Sequence, residues 1–238
     1  MSGFLPALPR LTCHPAVQPR IATPLGDLTF SAALSNRQLP AVPDTLSRLP
    51  SGALIAHWTE PAADLELLVT RYDPDLDPDH WAPLTDCWAA VWRVQARTAL
   101  PRVQLSATLS PLPSGVDSGF DGGQALAAIT FDNSDTKLTL GGPDEEDICL
   151  GAADSSALAT RWGRLVDRVY ATTRDLGWGV DYGNNEGLEW TLPSMEQGDR
   201  CLIHVVVAWS PPTNEEDANT WFAVATTPEN IIRQAADA

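Results

Sequence analysis

Residues 79–99 read DHWAPLTDCWAAVWRVQARTA, and the interpretation of this stretch decides the fold predicted for the chain. Its large apolar side chains recur at steps of three and four residues, the spacing of one face of an α-helix. These residues are Trp81, Leu84, Trp88, Val91 and Trp92. Asp77 or Asp79 would cap the first turn, and Pro101 would end the helix. The pattern therefore predicts a helix over 79–99.

A second window of helical spacing covers residues 154–176. Asp154 or Ser155 would cap it, and Gly177 lies where helices commonly end. The apolar stripe between these ends consists of Leu158, Trp162, Leu165, Val166 and Val169. We expect this window to form the second main helix.

Most of the remaining chain has the alternating or continuous apolar runs of β-strands. Runs at 53–58 and 65–72 predict one hairpin, and runs at 125–131 and 136–140 predict another around the turn residues 132–135. Residues 102–109 alternate between apolar and polar side chains. Because the strands cluster instead of alternating with helices, the predicted fold class is α+β with a mostly antiparallel sheet and two main helices.

The first residues are rich in proline, which excludes a long helix there. We interpret residues 1–24 as an extended N-terminal arm, folded over its own core or docked on a neighbouring subunit. Residues 25–238 would then form a single α+β domain. A loop of Pro, Gly, Ser and Asp near 110–123 is the candidate point of subdivision.

The composition is that of a soluble globular protein. The 238 residues are 44% hydrophobic and 19% charged, and the formal net charge is −16. Such an acidic balance argues against nucleic acid or an anionic membrane as the main partner. No apolar run approaches the ~20 residues of a membrane helix, and no secretory signal is apparent. We therefore expect a cytoplasmic protein.

Cysteine and histidine positions favour no catalytic or metal site. The four cysteines form no C-x-x-C pair and are expected to be reduced thiols. His57 and His204 fall in strand-like runs and are expected to be packed or rim residues. We expect neither a catalytic residue nor a cofactor.

Two local motifs resemble binding loops but fail in detail. The aspartates between Asp73 and Asp79 resemble the start of a calcium loop, yet Pro78 and Leu84 occupy the positions that need Gly and Glu. Residues 177–183, GWGVDYG, have the wrong spacing for a dinucleotide fingerprint and follow a predicted helix. The first segment is therefore predicted to be a solvated loop that leads into the start of the helix over 79–99, and no metal site is expected.

Charge is distributed unevenly along the chain. Residues 1–119 hold 8 basic and 11 acidic side chains, whereas residues 120–238 hold 7 and 20. The candidate surface for a basic partner consists of two dense acidic loops in the second half of the chain. Two tryptophans of the same half are expected to be exposed and to anchor the partner. The candidate partner-binding residues are Asp144, Glu145, Glu146, Asp147, Glu215, Glu216, Asp217, Trp178 and Trp190.

These observations favour a non-catalytic, acidic protein–protein interaction module. An immunity or antitoxin-like inhibitor of a basic partner protein is its concrete version. One alternative is a structural subunit of a larger, phage-like or secretion-type assembly that attaches through its N-terminal arm. The other is a tryptophan-lined small-molecule binder or cyclase-type enzyme. Sequence alone leaves the oligomeric state open.

Overall fold

The computed structural model describes residues 12–14, 17–123, 125–145, 147–148, 179–182, 186–212 and 218–237. The strands in this part of the chain are β1 (Thr12–His14), β2 (Arg20–Thr23), β3 (Gly26–Leu34), β4 (Arg37–Gln38), β5 (Thr45–Arg48), β6 (Leu54–Thr59), β7 (Ala63–Arg71), β8 (Asp86–Ala96), β9 (Val103–Ser110), β10 (Asp117–Phe120), β11 (Leu126–Asp132), β12 (Lys137–Pro143), β13 (Gly179–Asp181), β14 (Gly187–Leu192) and β15 (Arg200–Ser210). The helices among the same residues are α1 (Asn219–Val224) and α2 (Pro228–Asp237).

The strands form two antiparallel sheets. The larger sheet has the order β1-β5-β6-β7-β8-β15-β12-β11-β10, and the smaller has the order β13-β14-β9-β3-β2, with β4 beside β3. Both predicted hairpins are confirmed, because β6 pairs with β7 and β11 pairs with β12. The alternation predicted for 102–109 is also confirmed in β9, whose odd-numbered residues Val103 to Leu109 are buried.

The predicted fold class, α+β with two main helices, is wrong. The described residues are mostly β, and their two helices are short and lie at the C-terminal end. The predicted helix over 154–176 lies outside the described residues. The prediction of a mostly antiparallel sheet is confirmed for both sheets.

The helix predicted over 79–99 is in fact a loop followed by β8, a central strand of the larger sheet. A four-residue step such as Trp88 to Trp92 returns to the same side of a strand as well as of a helix. The residues between them are apolar too, because β8 is covered on both faces and so carries no polar alternation. Pro83, inside the predicted helix, is the residue that argued against it.

Two apolar layers cover the two faces of the larger sheet. One layer lies between the sheets and includes Trp58, Trp92 and Trp190. The other lies on the outer face of the larger sheet, where α1 and α2 add residues such as Val224 and Ile231 to Leu68 and Val91 of the strands. The molecule is therefore a β-sandwich with short helices packed on one outer face.

The described parts of the predicted arm pair within the sheets of the same chain. Thr12–His14 pairs with β5 in the larger sheet, and Arg20–Thr23 pairs with β3 in the smaller sheet. Strands on either side of residues 110–123 are also neighbours, since β15 pairs with β8 and β14 pairs with β9. Within the described residues, no helix is both long and apolar enough to span a bilayer.

Candidate functional site

A groove of about 1310 Å³ opens at the end of the larger sheet where β7 ends and β8 begins. Three parts of the chain line it: the β5–β6 turn, the connection from Tyr72 to Thr85 with the adjoining strand ends, and α2 through Arg233 and Gln234. Its volume exceeds that of a second cavity beside Trp58 and Trp92, which measures about 310 Å³. Its volume is ample for a peptide segment or a small ligand.

The connection between β7 and β8 is held by its ends and by α2. Pro74, Pro78 and Pro83 prevent it from forming regular structure. Tyr72 N–H donates to the Cys87 carbonyl at 3.0 Å, which closes the base of the connection. The Gln234 side chain of α2 accepts from the Asp73 N–H at 3.0 Å and donates to the Asp73 carbonyl at 2.7 Å. The groove wall is therefore fixed to the last helix.

The floor of the groove contains a compact polar cluster. Arg71 Nε donates to Asp86 Oδ1 at 2.8 Å, and Trp88 Nε1 donates to Asp86 Oδ2 at 3.1 Å. Both oxygens of this carboxylate are thus engaged. Cys87 also lines the groove, but burial, assisted by Asp86 and Asp73, raises the pKa of its thiol far above the ordinary value. The thiol is therefore protonated and not a nucleophile.

Four aspartates of the connection are exposed, and one of them, Asp73, lines the groove. Asp77 accepts from His80 Nδ1 at 2.7 Å and from the Asp79 N–H at 2.9 Å. The side chains of Asp73, Asp75 and Asp79 make no hydrogen bond or ion pair within the described part of the chain. The sequence prediction of a solvated loop agrees with this exposure. Among the described residues, no group of three or more His, Cys, Asp or Glu side chains is arranged to hold a metal ion.

Aromatic side chains continue the same wall. Trp81 lines the groove and also packs against Phe222 of α1, with ring centroids 4.4 Å apart and planes tilted by 36°. Phe222 is 41% exposed, which is unusual for a large apolar side chain in this molecule. The Trp221 ring meets the Phe222 ring edge-on, with centroids 5.1 Å apart. An aromatic patch therefore includes Trp81, which belongs to the same connection as the exposed aspartates.

A second polar region lies on the outer face of the larger sheet, at the opposite ends of β7 and β8. Glu66 and Arg93 form a buried ion pair at 3.2 Å. Asp64 pairs with Arg97 at 2.5 Å and lies 3.6 Å from His57. Although burial acts to raise the pKa of Asp64, its hydrogen bond to Arg97 and the charge of that guanidinium lower it overall. These groups pair with one another across strands, which is a structural arrangement.

A smaller cavity of about 310 Å³ lies beside Trp58 and Trp92. The two indoles are 5.4 Å apart, and Trp58 Nε1 donates to the Pro40 carbonyl at 2.9 Å. Trp92 is 1% exposed, and its Nε1 has no hydrogen-bond partner within the described residues. This cavity is the feature that a tryptophan-lined small-molecule binder would use.

The described residues of the first predicted acidic loop are held by their own chain. Asp144 Oδ1 accepts from the Asp147 N–H at 3.0 Å, and Glu145 Oε1 accepts from the Val180 N–H at 3.1 Å. Burial, followed by the charges of Glu145 and Asp144, raises the pKa of Tyr182 to about 12. Of the other predicted residues, these lie outside the described part: Glu146, Trp178, Glu215, Glu216 and Asp217.

The expectation that Trp190 is exposed is wrong. It is 0% exposed, and its Nε1 donates to the Pro143 carbonyl at 2.8 Å. The polar residues before it suggested exposure, but they end before β14 begins. Within β14 the alternation of Leu188, Trp190 and Leu192 places all three in the core, and that alternation was visible in the sequence. Trp190 therefore cannot serve as an anchor on the surface.

The sequence did not reveal the groove. Its floor and wall combine Arg71, Trp81, Asp86 and Trp88, of which the last three were assigned to the apolar face or the body of a helix. The proline spacing of the connection was the signal that it is a loop. Nothing local indicated that α2 would complete the opposite side, because that contact joins residues about 160 positions apart, Asp73 and Gln234.

The fold and the site are those of a β-sandwich with a groove of mixed charge at one end of its larger sheet. No family model matches the sequence, and no curated protein matches it either. Solved structures with some likeness include a protein described as a kojibiose phosphorylase from the human microbiome, at a TM-score of 0.47 and 8% identity. A polysaccharide lyase gives a TM-score of 0.36 at 9% identity.

The chain corresponds to only a part of each of these proteins. The alignments cover 87% and 83% of this chain but 26% and 27% of the phosphorylase and the lyase. The chain thus spans about a quarter of the length of either. At these TM-scores the likeness supports no assignment of activity or ligand, so function has to be argued from the groove itself.

Proposed function

We propose that the chain is a non-catalytic interaction module that binds a basic segment of a partner protein in the groove beside α2. The observation that carries the proposal is the set of exposed carboxylates on the connection that forms one wall of the groove. Asp73, Asp75 and Asp79 have no partner within the described residues; Asp73 lines the concavity of about 1310 Å³, and Asp75 and Asp79 are exposed on the connection whose Pro74, Leu76 and Pro78 line it. Carboxylates that the fold leaves unpaired beside a concave surface are suited to meet cationic side chains.

The stiffness of the connection supports this role. Prolines at 74 and 78 fix part of the backbone between the aspartates, and the Gln234 contacts hold its start. A surface that is already ordered loses less conformational entropy when a partner binds. The net charge of −16 adds a long-range field that attracts a basic partner and increases its association rate.

Among the described residues, three arginines line the groove together with Asp73 and Asp86. Arg71 is paired with Asp86, and the Arg233 guanidinium donates to Asn230 at 2.9 Å. Arg48 lies at the end of β5, on another part of the lining. The lining by itself is therefore not acidic, and the attraction for a basic segment rests on the exposed aspartates of the connection.

The acidic loops predicted from sequence remain proposals as additional contact surfaces. Asp144 and Glu145 already accept backbone hydrogen bonds, so they are less available than the aspartates of the groove. The immunity-like inhibitor is the version of this proposal in which the basic partner is a toxin. The assembly-subunit alternative, with the arm docking on a neighbour, also remains a proposal.

The experiment begins with capture of partners from an extract of the native host on the immobilised chain. The recovered partner is then purified, and its association is followed by stopped-flow at low and high salt. We expect the triple variant Asp73→Asn/Asp75→Asn/Asp79→Asn to associate about tenfold more slowly at low salt, with a flatter salt dependence.

The matched control is Asp117→Asn/Asp132→Asn/Asp135→Asn, which removes the same charge from exposed positions on β10, β11 and the turn after it. Because these residues belong neither to the groove lining nor to the connection between β7 and β8, their loss should reduce the rate only through net charge. Equal association rates for the two triple variants would contradict the proposal that the groove is the binding surface.

A further inference from the structure

Trp81 holds a position in the groove that the charge argument does not explain. It lines the cavity while its ring packs against Phe222 at 4.4 Å, and Phe222 itself is 41% exposed. The aromatic pair is not needed to fill either apolar layer of the sheets, since Trp81 and Phe222 belong to neither. An aromatic surface kept at the edge of a groove is available to a ligand.

The local backbone places this aromatic surface next to free negative charge. The N–H groups of His80 and Trp81 both donate to the Asp77 carbonyl at 3.1 Å, so residues 77–81 form a single turn. Asp79, whose carboxylate has no partner within the described residues, lies in the same turn as Trp81. A π-face and a carboxylate within one turn are the two groups that bind a planar cation.

We propose that Trp81, backed by Phe222, is the receptor for an arginine side chain of the partner, with Asp79 as its counter-charge. The inference rests on the proposed function, because it names the residue of the basic segment that the groove selects. Arginine is favoured over lysine because its guanidinium is planar, stacks on an aromatic ring and is more weakly hydrated than an ammonium group.

The charged groups to consider around Trp81 are those of its own turn and the arginines of the groove lining. Asp77 is engaged by His80 at 2.7 Å, so it supports the turn while Asp79 remains available. The cationic residues of the lining are Arg48, Arg71 and Arg233, and they belong to β5, β7 and α2. None of them lies in the 77–81 turn that carries Trp81.

The test uses three capped peptides in which glycine alternates with arginine, with lysine, or with the uncharged arginine isostere citrulline. Their dissociation constants for the whole chain are measured by calorimetry at low salt. We expect the arginine peptide to bind about two- to fivefold more tightly than the lysine peptide, and the citrulline peptide to bind weakest. This comparison needs no variant and so does not depend on a variant folding.

Variants of the chain then test whether Trp81 causes the preference for arginine over lysine. Trp81→Leu should bind the arginine and lysine peptides equally, while Phe120→Leu, which alters an aromatic residue that is 59% exposed and lies outside the groove, should keep the preference. Trp81→Phe retains an aromatic ring and should therefore keep part of the preference for arginine.

The outcomes separate this inference from the function on which it rests. Charged peptides that bind better than the citrulline peptide, but with the same arginine-to-lysine ratio in wild type and Trp81→Leu, would overturn the arginine receptor alone. No advantage of either charged peptide over the citrulline peptide would overturn the basic-segment function as well.

Discussion

His204 is the residue whose burial has the clearest energetic consequence. It lies on β15 opposite Val91 of β8, is 2% exposed, and neither ring nitrogen has a hydrogen-bond partner within the described residues. Arg93 and Glu66 lie one row further along the same face of the sheet. Because the charged imidazolium loses its hydration there, burial lowers the pKa of His204 to about 4.

This shift predicts that the folded state loses stability as the pH falls. The unfolded chain, with a histidine pKa near 6.5, binds a proton between about pH 6.5 and pH 4 that the folded state does not bind. Stability contributed by neutral His204 is therefore complete above pH 6.5 and is lost as the pH falls toward 4. The loss should be on the order of 3 kcal/mol, measured as the free energy of unfolding in urea across this range.

The variant His204→Leu should lack this part of the pH dependence and keep the part that arises from carboxylates. His80→Asn is the matched control, because His80 is exposed in the turn formed by residues 77–81. A slope in His204→Leu as steep as that of the wild type between pH 6.5 and 4 would show that His204 is not buried in its neutral form.

Among the elements, α2 links the core to the candidate site. It begins at Pro228 after Thr227, and its residues Ile231 and Ala235 join the apolar layer on the outer face of the larger sheet. Gln234, three residues after Ile231, binds both backbone groups of Asp73. The sheet therefore positions the helix through Ile231, and the helix positions the groove wall through Gln234.

Shortening Ile231 should destabilise the fold and loosen the groove. Ile231 is 0% exposed, so Ile231→Ala should lower the free energy of unfolding by ~2–5 kcal/mol through lost contacts and the cavity that remains. The half-buried neighbour Ile232 offers the same chemical change, and Ile232→Ala should cost only about 1 kcal/mol. Urea unfolding compares the two, and equal costs would mean that Ile231 does not anchor the helix.

The whole molecule is governed by its charge as well as by its two apolar layers. A net charge of −16 on 238 residues means that the folded state concentrates negative charge more than the unfolded chain does. Exposed ion pairs such as Arg20–Asp27 and Arg71–Asp86 offset little of this repulsion. Salt should therefore act mainly by screening repulsion.

Raising NaCl from about 0.02 M to about 0.3 M should increase the free energy of unfolding by on the order of 1 kcal/mol. The triple variant Asp73→Asn/Asp75→Asn/Asp79→Asn, with less negative charge at the groove, should respond less. Thermal or urea unfolding at each salt concentration measures the effect. Destabilisation by salt would mean that the surface ion pairs outweigh the net repulsion.

The sequence by itself determined the elements that depend on neighbouring residues. The β11–β12 hairpin was predictable because Asn133 Oδ1 accepts from the N–H groups of Asp135 and Thr136 at 2.9 Å, a contact that needs only the turn residues. The alternation of β9 was predictable because only one face of the smaller sheet is covered by the other sheet. The start of α2 also depends on neighbouring residues, since Pro228 occupies its first position directly after Thr227.

Only the tertiary structure decided the conformation of residues 86–96 and the assembly of the candidate site. Residues 86–96 are a strand because β7 and β15 pair with both of their edges and apolar layers cover both of their faces, which removes the alternation that identifies a strand in a sequence. The candidate site was equally out of reach, since its walls come from 48–54, 69–88 and α2. Long-range pairing set the conformation of β8 and assembled the groove, and neither leaves a local pattern.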